Sequence, residues 1–577
     1  MNKKQFFLII SLLFVVVISL GQEAEVKWSP LVKYDNNGYW RFLNSTSNRI
    51  LLEKKKKSSD WKSIKSLKVF AYDGETLNQS TPLPILGFKE NKVQKKKYKN
   101  LSYWKTLTYK NGVIVLWMKR EGEYLKIYAE TFNENMERMS EPSEFAAVSS
   151  HLKVDKYTYV NVLVNKSGNA FLISSELAGK KGEKVIMDLQ LFSMSLESVA
   201  SFQAELPMVI EGSKQRLNST TFLLGDDNVF YFEDKRLSEE EKEYESRREQ
   251  NIGAPILQTF GSIDITNKKV TCTKLAGHNL GGIASWEKII SADGVYFVGF
   301  LADDKNNVFE KHKKINGVFY IKTDKNYNIL EKKTNLFSSE LITKLFSNKP
   351  YNELEMVTHD VANPDFFSGE YRIENVRRTE DGSIYLFSSR NHIKLGGSGS
   401  NWTYNYSNGA GQSGFSETNV LNSTYLNVKT DVLVFKLNSK GDLEWSINMP
   451  RRKLYSTMIQ HSRFESPDIY FERMDIHVLE KEDEIFVLTA DEYDISKNGQ
   501  AVVKKKKVVV EQQPVRVFSI NKKTGEYAAS EINMNGDGSE NRTVQVIDFK
   551  PSGNSLIIHA YKGNSLKEGF VGKISLK

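Results

Sequence analysis

A single cysteine among 577 residues excludes an intramolecular disulfide framework and any zinc or iron–sulfur site built on several thiolates. The eight histidines (His151, His278, His312, His359, His392, His461, His477 and His559) never fall two, three or four residues apart. No local histidine pair for a metal exists. Proline is scarce, at 12, against 26 Tyr, 32 Phe and 8 Trp, a mixture that suits strands better than linkers. Beyond residue 18 no stretch approaches the roughly 18 uninterrupted apolar residues of a membrane-spanning helix. A Gly-x-Ser-x-Gly nucleophile elbow is also missing. What remains is ordinary for a folded chain: 40% apolar, 26% charged, net charge +9.

The first 21 residues have the three-part layout of a secretory signal peptide. Lys3 and Lys4 precede an apolar run from Phe6 to Ile18, broken by Ser11, and Ser19 and Gly21 supply small residues before Gln22. A helix of thirteen residues spans about 20 Å, short of a hydrocarbon core of about 30 Å. Cleavage after Gly21 is expected, leaving residues 22–577 as an exported chain, periplasmic or extracellular, with no transmembrane segment. Gln22 stands where a bacterial lipoprotein needs cysteine, so a lipid anchor is not expected. Cys272, in the alternating stretch Val-Thr-Cys-Thr-Lys, reads as a small packed residue.

The dominant feature is a recurring unit in which an Asn, Asp or Gly turn leads into four or five apolar residues. Copies start at Ile50, Val113, Ala170, Val229, Val295, Ile384, Ile485 and Leu556. Each is followed by an alternating strand ending in another turn, such as Val69-Phe-Ala-Tyr-Asp-Gly or Val318-Phe-Tyr-Ile-Lys-Thr-Asp. Strand, turn and strand make a hairpin, and hairpins recurring about every 60 residues are the pattern of four-stranded propeller blades. The expectation is an all-β fold: one propeller over 22–577 of about eight blades, with seven, or two β-sandwiches, as alternatives. Its last repeat ends with a third strand at the end of the chain. Val26–Tyr34, a strand with no hairpin partner of its own, is expected to pair with Phe570–Leu576 and close the ring.

The segment Asp431-Val-Leu-Val-Phe-Lys-Leu-Asn-Ser-Lys-Gly-Asp-Leu-Glu-Trp445 resembles the repeat of bacterial secreted β-propellers of the SBBP type. The resemblance covers one blade; it implies fold and export, and no activity.

Two helices are expected: a solvated one from Ser238, and one over Ser338–Asn348 whose Leu341, Ile342, Leu345 and Phe346 form an apolar face. Long insertions fall between the second and third strands of four repeats, at 235–257, 303–316, 391–430 and 492–514. In a meandering blade these connections emerge on one side, so that side is the expected working face. Within 391–430, Trp402, Tyr404 and Tyr406 alternate among Gly, Ser and Asn, the composition of adaptable binding loops. They are the candidate binding residues, with packing on the blade as the plainer alternative.

Other motifs carry less. Asn533-x-Asn535-x-Asp537-Gly538 echoes a calcium loop but has Val544 where Glu belongs, and reads as a turn. Asn521-Lys-Lys-Thr-Gly525 resembles a fragment of the quinoprotein docking motif, without its Trp. Ser439–Trp445 is one residue short of a sialidase box. The lysine runs Lys54–Lys57, Lys95–Lys97 with Lys99, and Lys504–Lys507 read as solvated loops, with attraction to anionic glycans or lipid headgroups open; nucleic acid does not suit an exported protein. No catalytic, metal or cofactor residues emerge. The function expected is that of a monomeric, non-enzymatic scaffold binding an envelope protein or surface glycan; the alternative is an exported hydrolase or quinoprotein-type enzyme with its site at the central funnel.

Overall fold

The computed structural model describes residues 24–33, 39–57, 64–86, 101–149, 160–209, 222–234, 258–275, 282–303, 314–347, 362–368, 371–396, 423–459, 476–490, 494–495, 501–502, 515–532 and 544–576, less a few residues in turns. The expected signal peptide, the helix from Ser238 and the Asn533–Gly538 turn lie outside the described residues.

The chain is built of antiparallel sheets around a four-stranded meander, eight among the described residues, six of four strands, one of five and one of six, besides a two-stranded ribbon. We number them 1–8 along the chain. Their second strands are Arg49–Lys57, Gly112–Glu121, Ala170–Leu177, Val229–Asp234, Gly294–Asp303, Ile384–Gly396, Glu484–Ala490 and Ser555–Lys562. All eight apolar runs of the sequence fall on these strands. The third strands (Ile64–Asp73, Tyr124–Asn133, Lys184–Ser193, Gln258–Asp264, Lys314–Thr323, Ser423–Leu437, Val515–Asn521 and Ser565–Leu576) pair with them directly.

The runs are apolar throughout because each second strand is covered on both faces. In sheet 3, Phe171 and Ile173 pack toward Ile114 and Leu116 of sheet 2, while Leu172 packs toward Phe230 and Phe232 of sheet 4. The same alternation joins sheet 1 to 2, 4 to 5, 5 to 6, 6 to 7 and 7 to 8. In sheet 8, Leu556 and Ile558 face sheet 7, and Ile557 packs with Ile50, Leu52, Phe70 and Tyr72 of sheet 1. Meandering sheets packed face to face in chain order are the architecture of a β-propeller repeat fold.

Seven sheets take their fourth strand from the residues that follow the third. Sheet 8 takes it from the N-terminal end: Ala24–Trp28 runs antiparallel to the last strand, Ala24 opposite Leu576 and Trp28 opposite Gly572. Pro30, which has no N–H to donate, interrupts this edge strand, and pairing resumes at Val32 opposite Gly569. At the interruption Ser29 donates its N–H to the Val571 carbonyl (2.8 Å), and its Oγ accepts from the Val571 N–H (3.0 Å).

Two elements add to the repeat. The helix Ser339–Ser347 follows sheet 5 and buries Ile342, Leu345 and Phe346 between sheets 5 and 6, as its periodicity expects. Sheet 5 also gains Ala362–Asn363 and Phe366–Ser368, the latter pairing with Lys314 and Ile315. Cys272 packs, partly buried, beside the core between sheets 3 and 4.

Candidate functional site

The two edges of the sheets carry different kinds of connection. One edge holds the tight turns between first and second and between third and fourth strands. The other holds the second-to-third connections and the links from sheet to sheet.

The third-to-fourth turns share one construction. A side-chain oxygen at the end of the third strand accepts backbone N–H groups two to four residues on. Asn438 Oδ1 receives Lys440 and Asp442, both at 2.9 Å; Asp324 Oδ1 receives Asn326 (2.8 Å) and Asn328 (2.9 Å); Asn521 Oδ1 receives Lys523 (2.9 Å) and Thr524 (3.0 Å). The same arrangement recurs at Asp73, Asn133, Ser193 and Asp264. Each turn then places one residue at positive φ: Leu77, Met136, Leu196, Lys268, Tyr327, Gly441 and Gly525. A non-glycine residue there costs roughly 1–2 kcal/mol. Burying Leu77, Met136 and Tyr327 in the cores between sheets offsets it.

Gly441 and Gly525 mark where the filling comes from the preceding sheet instead. A Cβ on Gly441 would come within 2.4 Å of the Tyr320 ring, and one on Gly525 within 2.8 Å of Trp445. Trp445 Nε1 also donates to the Lys522 carbonyl at 3.2 Å. The Asn521–Gly525 fragment is therefore a turn on which the tryptophan of the sheet before it docks. That Trp is the one closing the Asp431–Trp445 segment.

Charged groups on this edge tie neighbouring sheets together. Asp293 accepts from Tyr296, from Lys322 Nζ at 3.2 Å and from Arg378 of sheet 6 at 3.1 Å. Partial burial opposes ionisation there, but the bonds from Tyr296, Lys322 and Ser291 and the Arg378 charge outweigh it and hold the carboxyl down at about 2. Stability from a depressed carboxyl is present above its unfolded value, about 3.9, and is lost as pH falls through the folded one. Asp293→Asn is therefore expected to lower the melting temperature at pH 7, with the gap to the parent closing between pH 4 and 2. A gap unchanged down to pH 2 would show that the carboxylate contributes nothing as an ion.

A cleft of about 720 Å³ opens on the same edge, between Thr379–Asp381 and Lys436 of sheet 6 and Glu480–Asp483 and Lys522 of sheet 7. Its principal charges serve the joint between the sheets. Asp381 is held below the usual carboxylate range, first by the Thr379 hydroxyl and then, against partial burial, by Ser383. Lys436 bridges Glu444 (2.7 Å) and the Lys522 carbonyl (3.0 Å), and Lys522 bonds Glu480 at 2.7 Å. Among the described residues the carboxyl pushed upward is Asp188 on sheet 3, by burial, against a hydrogen bond it accepts from Gln190. No cluster of three or more potential metal ligands occurs among the described residues, and no helix there is long and apolar enough to cross a membrane.

The opposite edge is uneven. The second-to-third connection is two residues in sheets 2 and 8 and six in sheets 1 and 3. In the consecutive sheets 4, 5, 6 and 7 it spans 235–257, 304–313, 397–422 and 491–514. The third differs from the expected loop of 391–430, because its two ends continue the strands: the second strand runs on to Gly396 and the third resumes at Ser423. Residues 423–430 and 452–459 pair in turn, so sheet 6 carries a three-stranded extension. Register shifts at Ser389/Arg390 and Thr430/Val432 set it off from the blade. Asp431, at the second shift, has φ +27° and accepts from Tyr371 and Asn448. A bulge of this kind re-aims the strands beyond it. Within 491–514, Asp494–Ile495 pairs with Ala501–Val502. Trp402, Tyr404 and Tyr406 lie outside the described residues.

No family model and no curated protein matches the chain. Among solved structures it is similar to the WD40 domain of SCAP from fission yeast (10% identity, TM-score 0.33, covering 96% of this chain and 94% of that one). It is also similar to the polysaccharide lyase Uly1 (10%, 0.33, 84% and 96%) and to the β-propeller domain of the Trilobed protease from Pyrococcus furiosus (8%, 0.30, 83% and 96%). Likeness at this level carries no functional argument, which rests on the chain's own residues.

Proposed function

We propose that the protein is an exported, monomeric propeller of eight blades, closed by its N-terminal strand, that binds an envelope protein or a surface glycan without catalysing a reaction. The observation that carries this reading is the grouping of four long connections on one edge of four consecutive sheets. Rigid blades with short turns opposite and insertions on one side are how a propeller separates stability from recognition. Eight packed interfaces, the last between sheets 8 and 1, support the ring. Export rests on the charged, apolar and small-residue pattern of residues 1–21.

The test replaces Trp402, Tyr404 and Tyr406 together with Ala and measures both melting and retention on envelope extract and a glycan panel. Binding is expected to fall at least tenfold with the melting temperature unchanged. Lost stability with intact binding would assign the three aromatics to packing.

A further inference from the structure

Two neighbouring joints on the turn edge are built on equivalent positions and end differently. Tyr296 stands opposite Lys322 in sheet 5, and Tyr385 opposite Lys436 in sheet 6. The following sheet supplies Arg378, opposite Ile384, to the first joint, and Glu480, opposite Ile485, to the second. In the first joint Asp293 gathers the Tyr296 hydroxyl, Lys322 and Arg378. The Arg378 guanidinium carbon lies over the Tyr296 ring, 4.6 Å from its centre. In the second joint a carboxylate takes the register position of that guanidinium, and there the cleft of about 720 Å³ opens.

The reversal of charge leaves acceptors over. Tyr385 is 1% exposed and lines the cleft, yet its hydroxyl bonds nothing among the described residues. Burial, and then the Asp381, Glu480 and Glu444 carboxylates, push that hydroxyl above the ordinary tyrosine value, so its surroundings are negative. Asp381 accepts from Thr379 and Ser383 and bonds no cation. Glu480 bonds Lys522 through one oxygen and keeps the other without a bond among the described residues. The lysines are committed: Lys436 to Glu444 and the Lys522 carbonyl, Lys522 to Glu480 and the Glu482 carbonyl at 2.8 Å. Lys481 lies over the Phe486 ring, 5.9 Å from its centre, and Lys523 is exposed at the rim. Arg377, opposite Tyr385 across the ladder, feels the Glu480 charge but bonds no carboxylate among the described residues.

We propose that the cleft between sheets 6 and 7 binds a guanidinium group, which donates to Asp381, Glu480 and the Tyr385 hydroxyl oxygen as Arg378 closes the joint before it. A planar fork of five N–H donors can reach three separate acceptors at once, which an ammonium point charge does less well. The carboxylates do not converge as metal ligands would, since no cluster of three occurs among the described residues. The volume falls within the range of about 300–1,000 Å³ usual for ligand sites, so a short stretch of chain around an arginine also fits. This site lies on the edge opposite the insertions and is independent of the envelope-binding reading.

The experiment titrates the protein calorimetrically with Nα-acetyl-arginine amide, its uncharged citrulline counterpart, and a capped Gly-Ser-Arg-Ser-Gly peptide. It is repeated with Tyr385→Phe and with Glu480→Gln. Both arginine probes are expected to bind, with the citrulline probe and each variant about tenfold weaker. Tyr385→Phe should melt at or above the parent, since it removes a buried hydroxyl without a partner; this separates lost binding from lost folding. A peptide that binds more tightly than the capped amino acid would place the guanidinium on a partner chain, and equal affinity would place it on a small molecule. The variant lacking Trp402, Tyr404 and Tyr406 should bind the arginine probes as the parent does, whatever becomes of its retention on envelope extract. A parent that binds neither arginine probe, or binds citrulline equally well, would overturn the proposal. Undiminished binding by a folded Tyr385→Phe variant would overturn it too.

Discussion

Deleting residues 22–34 is expected to lower the melting temperature by on the order of 10 °C and to promote aggregation. These residues supply a whole edge strand from the far end of the sequence. Ala24–Trp28 completes sheet 8, and Ser29 and Val32 extend the contact along the same strand. Val26 and Trp28 cover the core between sheets 7 and 8, and Val32 covers the one between sheets 8 and 1. Trp28 meets Phe570 edge-on at 6.1 Å, and Lys27 reaches the Glu75 carbonyl of sheet 1. Without the segment, Ser565–Leu576 becomes an open edge and two of the eight cores lose cover. Calorimetry with light scattering reads both effects. A truncated protein that melts with the parent would show that sheet 8 does not need its fourth strand.

Trp445→Ala is expected to cost about 3 kcal/mol, within the range for removing a large aromatic from a packed site. Trp445 packs with Tyr385 in the core between sheets 6 and 7 and bonds the Lys522 carbonyl, so its loss loosens a joint and not a single contact. Gly525→Ala is expected to cost about as much, because its Cβ meets the same ring and its φ of +74° disfavours a side chain. The two changes should be sub-additive: with the indole gone, the methyl at 525 has space. Urea unfolding of both single variants and the double one gives the coupling. Strict additivity would mean that Trp445 and Gly525 do not share the site.

The second strands were the most legible part of the sequence because burial on both faces writes them as unbroken apolar runs. The fourth strand of sheet 8 was legible too, since a repeat ending on its third strand leaves an edge that Val26–Tyr34 matches. First and fourth strands were not. Ile329–Leu336, for example, is largely solvent-exposed and reads Ile-Leu-Glu-Lys-Lys-Thr-Asn-Leu, with no alternation to find. The docking of Trp445 on Gly525 is hidden in the sequence because its halves lie in different repeats, 80 positions apart. The extension of sheet 6 reads as loop: Ser423–Thr430 holds Ser, Asn and two Thr, Arg390–Gly396 mixes Asn, His, Lys and Gly, and only the register shows them paired. The lysine run at 54–57 likewise lies inside a strand. The candidate binding aromatics Trp402, Tyr404 and Tyr406 stand out by spacing alone and lie outside the described residues.

A graft separates recognition by the insertions from stability in the blades. Residues 397–422 are replaced by Gly-Asn, the connection sheet 8 uses at 563–564, and the variant is compared with the parent in melting and in retention on envelope extract. The melting temperature is expected to stay within a few degrees of the parent's and retention to fall at least tenfold. A grafted protein that binds as the parent does would show that residues 397–422 take no part in recognition.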